Sequence, residues 1–416
     1  MAKADKGARK RAKASKKVRE RADATLEAES RAEKKALRKA LKHQEKKQKG
    51  DKKKARELMR EEVREHSEVS REVRKATDRA MRDIAKQAVA DATNTAAHAA
   101  VRTAQEAARH LSPRYSERRP VEGRTALGSW DLHNHSVFSD GSCTVDELIA
   151  QARDAGLTRI AITDHDSLSQ LSAIRSRARE LSFPVLAGTE ISTRDPATGR
   201  KAHILAFGVE ATADGSGPLE LLVAPTLYAR TSNSLWQAWV LKSQGIEFSG
   251  RHISLDEVLD VAGPSTAVYK QHIMEALTRR PHTDPDYRFC YQCWFKGDNP
   301  ANHDIDYPTP TEAVRAIREQ GGVPVLAHPG QTKSWAIVPE LVGAGLMGIE
   351  AFHPDHGEVE QSLAFEIAER FGLFVTGGSD YHGKYGNSPA LGTCFVCPEE
   401  AGSMVEALFA REAGLS

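Results

Sequence analysis

His133 and His135, one residue apart in Asp131-Leu-His-Asn-His135, are the first pair in the chain that can do chemistry together. On an extended backbone residues i and i+2 face the same side, so both imidazoles can reach one ion. Further acids and imidazoles recur in short clusters. Asp140 precedes Gly141, His165 lies in Thr163-Asp-His-Asp166, and Glu190 ends Gly188-Thr-Glu190. His203 follows in Lys201-Ala-His-Ile-Leu205, His328 in Leu326-Ala-His-Pro329, and Asp380 and His382 in Gly377-Gly-Ser-Asp-Tyr-His382. Any one of these histidines alone would more often be packed in a core or solvated. Together they form a donor set suited to divalent zinc, manganese or iron.

Short apolar runs lead into these clusters: Arg159–Thr163, Val185–Ala187, Val323–Ala327, Gly348–Phe352 and Phe374–Thr376. They alternate with helical stretches such as Thr144–Ala155, Leu168–Leu181 and one starting at Thr311, which predicts an α/β fold with parallel strands. In barrel-like folds of this class the C-terminal strand ends converge on one mouth, and five strand ends here carry His, Asp or Glu. The alternation stops between residues 214 and 308. Helix-like segments Pro218–Gln244, Ser254–Ala262 and Tyr269–Arg280, with an aromatic stretch Tyr287–Trp294, read as a helical insertion between barrel segments 129–213 and 309–416.

Residues 1–110 differ in kind. They carry a net charge of roughly +15, leaving about −13 for the remainder of a chain whose total is +2. Ala, Lys, Arg and Glu dominate, Gly7 and Gly50 are the only glycines and proline is absent, so a long basic helical extension is expected. Val69, Val73, Ala76, Ala80, Ile84 and Ala88 mark a narrow face suited to coiled-coil-like packing on another helix, a second copy or the body. Such an extension is either a solvated helix or a contact for nucleic acid or another acidic partner. Residues 111–128, with Pro113, Pro120, Gly123 and Gly128, read as a linker. No apolar run of the ~18 residues needed for a membrane span occurs, and no signal-type apolar core follows the basic start, so a cytoplasmic, reduced location is expected. Five cysteines are too few for a disulfide framework. Cys290-x-x-Cys293 and Cys394-x-x-Cys397 lie too far apart for the usual paired zinc site, and buried thiols are expected, with Cys394 and Cys397 on a strand over Gly392–Pro398.

The order HxH, D, TDHD, GTE, HIL, AHP and GSDYH resembles the PHP (polymerase and histidinol phosphatase) family over roughly residues 129–398. It is most similar to the branch of nucleoside bisphosphate phosphatases and RNA exonucleases with a helical insertion between HIL and AHP. The resemblance implies a distorted seven-stranded β/α barrel holding two to three divalent ions (Mn, Zn or Fe). It implies a first ion on His133, His135, Glu190 and Asp380, and a second on Glu190, His203 and His328. Asp140, His165 and His382 would hold a third. His353, Asp380 and His382 are the expected catalytic residues, and Arg230, Lys270, His272 and His353 the expected substrate contacts. Where the family carries an arginine-proline pair, this chain has Lys270-Gln271, a point charge in place of a fork. The expected activity is hydrolysis of phosphate esters of nucleotides by an ion-activated water. The alternatives are a 5′ to 3′ exonuclease on short RNA or DNA, and a nucleic-acid-binding scaffold with a structural barrel. The scaffold predicts missing ligands, and all nine positions are filled.

Overall fold

The computed structural model describes residues 124–414; the basic extension 1–110 and most of the linker lie outside them. The chain begins with β1 (Trp130–Asp131), α1 (Val145–Asp154), β2 (Arg159–Ile162), α2 (Leu171–Glu180), β3 (Val185–Arg194) and β4 (Lys201–Phe207). There follow α3 (Pro218–Ser243), a hairpin of β5 (Glu247–Phe248) and β6 (Arg251–His252), α4 (Leu255–Val261), α5 (Lys270–Thr278) and α6 (Pro285–Phe295). The remainder is α7 (Pro310–Glu319), β7 (Val323–Ala327), α8 (Pro329–Thr332), α9 (Val338–Ala344), β8 (Gly348–Phe352), α10 (Glu358–Phe371), β9 (Phe374–Gly377), α11 (Pro398–Ala401) and α12 (Ser403–Glu412). Helix starts follow side-chain chemistry. Thr144 and Thr309 each accept a hydrogen bond from the backbone three residues on, and Glu147 and Glu312 return it, closing capping boxes at α1 and α7. α1 then buries Val145, Leu148, Ile149 and Ala152.

Seven strands form one sheet in the order β1-β2-β3-β4-β7-β8-β9. Its two edges meet through Leu132 N–H to Gly377 C=O at 3.0 Å and His135 N–H to Tyr381 C=O at 2.9 Å, giving a nearly closed, distorted barrel. The sheet is mixed, not all parallel: β4 runs antiparallel to both β3 and β7. Residues 195–200 are too few for a parallel crossover, which needs a dozen or more. The reversal puts the start of β4 at the mouth formed by the C-terminal ends of the other strands. His203, near that start, pairs with Ser192 of β3 and Ala327 of β7. β3 also outruns its expected end, so Glu190 sits within the strand.

The barrel core collects Leu148, Ile160, Ile162, Leu186, Ile204, Val325 and Ile349. A second apolar cluster joins Ala238 and Leu241 of α3 to Val258, Ile273, Leu277 and Phe295. α3 serves both: Leu219 and Val223, near its start, belong to the barrel core. Tyr287–Trp294 is helical, within α6. The segment Gly392–Pro398 is not a strand; only Val396 bridges, to Trp130. Cys290 and Cys397 are buried as expected, but Cys293 is exposed.

One glycine decides how tightly the barrel closes. A Cβ on Gly378 would lie 2.4 Å from both N and Cβ of His133. Those atoms belong to the β1 edge and cannot swing away, so Gly378→Ala is expected to cost about 2–3 kcal/mol of stability by overpacking. A wild-type denaturation midpoint for that variant would contradict this reading of the seam.

Candidate metal centre

Nine buried or half-buried side chains meet at the barrel mouth in three overlapping groups. Each group's potential ligand atoms lie within 4.8 Å of one another: His133, His135, Glu190 and Asp380; Glu190, His203 and His328; and His135, Asp140, His165 and His382. Glu190 joins the first two. Its Oε1 lies 2.7 Å from His203 Nδ1 and 2.9 Å from His328 Nε2, and its Oε2 lies 3.2 Å from His133 Nε2 and 3.1 Å from His135 Nε2. Asp380 Oδ1 stands 3.5 and 3.2 Å from the same two imidazole nitrogens. Around Asp140 Oδ1, His382 Nε2 is at 3.3 Å and His165 Nε2 at 3.9 Å. All nine residues named from the sequence are thus brought together, and His135 faces two groups.

The donors fit divalent ions. Nε2 of His133 and of His135, Oδ1 of Asp140 and Nδ1 of His165 are buried without a hydrogen-bond partner. Buried polar atoms are seldom left so, and four at one place call for a shared occupant. Ligand atoms ~2.0–2.2 Å from a tetrahedral ion stand about 3.4 Å apart, close to the spacing of His133, His135, Glu190 and Asp380. Charge points the same way. Burial would raise Glu190 and Asp380, yet the imidazoles around them hold both well below the usual carboxylate range. Burial would lower His135, but Asp380 and Glu190 lift it to about 10. His165, where burial prevails, falls to about 4 and stays neutral. Protons here balance the carboxylates as cations would.

The supporting shell contains carboxylates to which the sequence reading assigned no role. Glu350, inside β8, sets Oε1 3.1 Å from His133 Nδ1 and accepts the backbone N–H of His328 on Oε2 at 2.8 Å. It fixes the His133 tautomer so that Nε2 faces the cluster. Asp131 accepts Ser379 N–H, Ser379 Oγ–H and Gly392 N–H, tying β1 to the segment bearing Asp380. Asp164 accepts Ser136 N–H and both Ser136 and Ser139 hydroxyls, shaping the turn before Asp140. The backbone is strained where ligands are presented: Asp166, His328 and Asp380 are three of the seven non-glycine residues with positive φ among the described residues. Glu350→Gln is expected to weaken metal binding about 10–100-fold with little change in fold. Unchanged affinity in a metal titration would remove Glu350 from this role.

The four expected substrate contacts fall differently. Arg230 Nη2 donates to Asp166 Oδ2 at 2.5 Å and to Ser192 Oγ at 2.9 Å, and its Nε is buried without a partner. Among the described residues no carboxylate lies within ion-pair distance of Lys270, and burial, opposed by Asp304 and aided by the cations Lys201, Lys296 and Arg230, brings its ammonium down to about 8. Arg194, Lys201 and Arg230 surround the Tyr307 ring at 5.4, 4.7 and 5.8 Å, with Asp304 paired to the first two. His353 Nδ1 accepts Asp355 N–H at 3.0 Å, so its Nε2 carries the proton and faces Asp380 Oδ2 at 3.3 Å. His272 is only 2% exposed, with Nδ1 accepting Tyr269 N–H, and burial pushes it to about 4. It fastens α5 and is not an open contact.

A PHP domain family model matches residues 131–240. The chain is 44% identical over 262 residues to a phosphoribosyl 1,2-cyclic phosphate 1,2-diphosphodiesterase of Eggerthella lenta, covering 63% of this chain and 97% of that protein. It is 26% identical to a 3′,5′-nucleoside bisphosphate phosphatase of Chromobacterium violaceum, over 62% of this chain and 88% of that one. A solved structure ascribed to a metal-dependent phosphoesterase of Bifidobacterium adolescentis superposes with a TM-score of 0.58 at 27% identity, covering 69% of this chain and 98% of that one. Among the described residues no helix is long and apolar enough to cross a membrane.

Proposed function

The chain belongs to the PHP family of metal-dependent phosphoesterases, and on that footing we propose that it hydrolyses a phosphate ester carried on a ribose. A cyclic phosphoribosyl diester is the first candidate and a nucleoside bisphosphate the second. The observation that carries this reading is the 44% identity to a phosphoribosyl cyclic phosphodiesterase across 97% of that relative's length. Lys270 supports it, because among the described residues no carboxylate lies at ion-pair distance from its ammonium and a second phosphate on the substrate would supply one, whereas Arg230 and Lys201 are already paired with Asp166 and Asp304.

Two to three divalent ions, of manganese, zinc or iron, would be held by His133, His135, Glu190 and Asp380, by Glu190, His203 and His328, and by Asp140, His165, His382 and His135. When bound, such ions neutralise phosphate oxygens and make water a nucleophile near neutral pH. The chain's own residues do the rest. Glu350 and Asp131 hold the ligands in line. Arg230, braced on Asp166, and Lys270 anchor the distal phosphate. His353 offers its Nε2 proton beside Asp380, where a leaving oxygen would collect it.

The test is product release from a Mn-loaded panel: 5-phosphoribosyl 1,2-cyclic phosphate, adenosine 3′,5′-bisphosphate and a short 5′-phosphorylated RNA. Asp380→Ala and His382→Ala run beside the wild type. Hydrolysis of a ribosyl substrate by the wild type alone upholds the reading. Preference for the RNA replaces it with a 5′ exonuclease, and inactivity throughout with metal bound overturns it.

A further inference from the structure

Beside the ligands a cavity of about 180 Å³ opens, lined by Asp380, His382 and His353 on one side and by Gln271, Gln331 and Asn387 on others. No lysine or arginine lines it, so none of the cations around Tyr307 reaches it. Apart from Asp355 and the ligand residues, its polar side chains are amides, hydroxyls and imidazoles. Gln271 uses Nε2 on Asp140 Oδ2 at 2.9 Å, and Gln331 uses Nε2 on Asp355 Oδ2 at 2.8 Å. That leaves two amide oxygens and the Asp355 carboxylate to receive hydrogens. His282, also on the wall, is pushed down by burial and stays neutral. A distal phosphate finds no lysine or arginine on this wall, whereas hydroxyl groups, which both donate and accept, match its amides and hydroxyls.

The aromatic residues of the wall pack mainly on one another. Tyr287 is fully buried and Tyr385 is 7% exposed, so neither ring face is open to a base. Tyr291 lies against Tyr287, with centroids 6.4 Å apart and planes at 9°, and against Phe295 at 5.4 Å. Base recognition without sequence reading needs open aromatic faces.

We propose that this cavity is the subsite for the uncharged, hydroxylated part of the substrate, a sugar ring, and that Gln331 and Asn387 determine specificity there. The substrate's charge is then confined to the ions and the Arg230–Lys270 flank. The inference rests on the ribose phosphate reading above and names how the sugar is recognised.

The test compares the Mn-loaded full chain with Gln331→Ala and Asn387→Ala. The two substrates are 5-phosphoribosyl 1,2-cyclic phosphate and bis(p-nitrophenyl) phosphate, which has no sugar. Neither residue belongs to the ligand set, and thermal melting checks the fold. The expected result is a KM about tenfold higher for the ribosyl diester, with kcat little changed and the aryl diester within about twofold of wild type. Unchanged KM for the ribosyl diester overturns the subsite. An equal loss on both substrates also overturns it, assigning the residues to support of the metal centre. Wild-type protein that cleaves the aryl diester but neither ribosyl substrate of the panel above refutes the ribose phosphate reading itself, and the subsite with it.

Discussion

Glu190→Gln is expected to lower kcat at least about a thousandfold while leaving the fold intact. The loss should exceed the 10–100-fold typical of a supporting residue, because Glu190 is shared between two ligand groups. Its two oxygens stand within 3.4 Å of five imidazole nitrogens, those of His133, His135, His165, His203 and His328. Glutamine has the same size and keeps one oxygen, so packing in β3 is unaffected. Its amide nitrogen is a donor and cannot bind a cation, and its oxygen carries no full charge. Bound metal, measured per chain by mass spectrometry, should fall together with the rate. Full metal occupancy with wild-type turnover in this variant would show that the carboxylate does not bridge.

The reason so many of these ligands could be named from the sequence is their position in short motifs. HxH, TDHD, GTE and GSDYH place polar residues where apolar runs stop, and that break in pattern is visible without a fold. Glu350 lacks this signal. It lies inside Gly348-Ile-Glu-Ala-Phe352, a run that otherwise reads as a buried strand. The clue available was the acid itself, since a lone carboxylate in such a run must have a partner. His272 failed in the opposite direction. Its place in the insertion suggested a contact, but whether an imidazole opens to a site or caps a helix depends on the tertiary position of α5.

Strand direction shows the same division. Alternation of apolar runs and helices indicates an α/β barrel but not which strands reverse. The shortness of segment 195–200 held that information, because a loop of this length permits only an antiparallel return. The reversal has a functional consequence. Only with β4 antiparallel does a histidine near the start of a strand reach the mouth, where His203 meets Glu190 at 2.7 Å. Gly392–Pro398 misled for a related reason: its apolar residues pack on the barrel seam through one bridge at Val396, and composition alone does not separate that from a paired strand.

Removing metal should destabilise the protein, and more strongly at high pH. In the metal-free chain His135 has a pKa raised to about 10, and His133, His328 and His382 are also raised, by the carboxylates that outweigh burial. A group whose folded pKa is raised above the unfolded value, ~6.5 for histidine, contributes fully below that value. Its contribution is lost as pH rises through the folded value, so the metal-free chain weakens between about pH 6.5 and 10. Glu190, Asp380 and Asp140 are depressed and act in the other sense: their contribution is present above the ordinary carboxylate range and lost in acid. Metal ions displace the protons, so their binding tightens as pH rises. At a thousandfold excess over Kd binding adds about 4 kcal/mol, roughly 10 °C in Tm for a domain of this size. The gap in Tm between Mn-loaded and EDTA-treated protein should therefore widen from pH 6 to pH 9. A gap that is constant or narrows would mean that the imidazoles are already neutral without metal. Glu190→Gln supplies the internal control, because without that carboxylate the neighbouring histidines lose their reason to hold protons, and the metal-free variant should show a shallower slope.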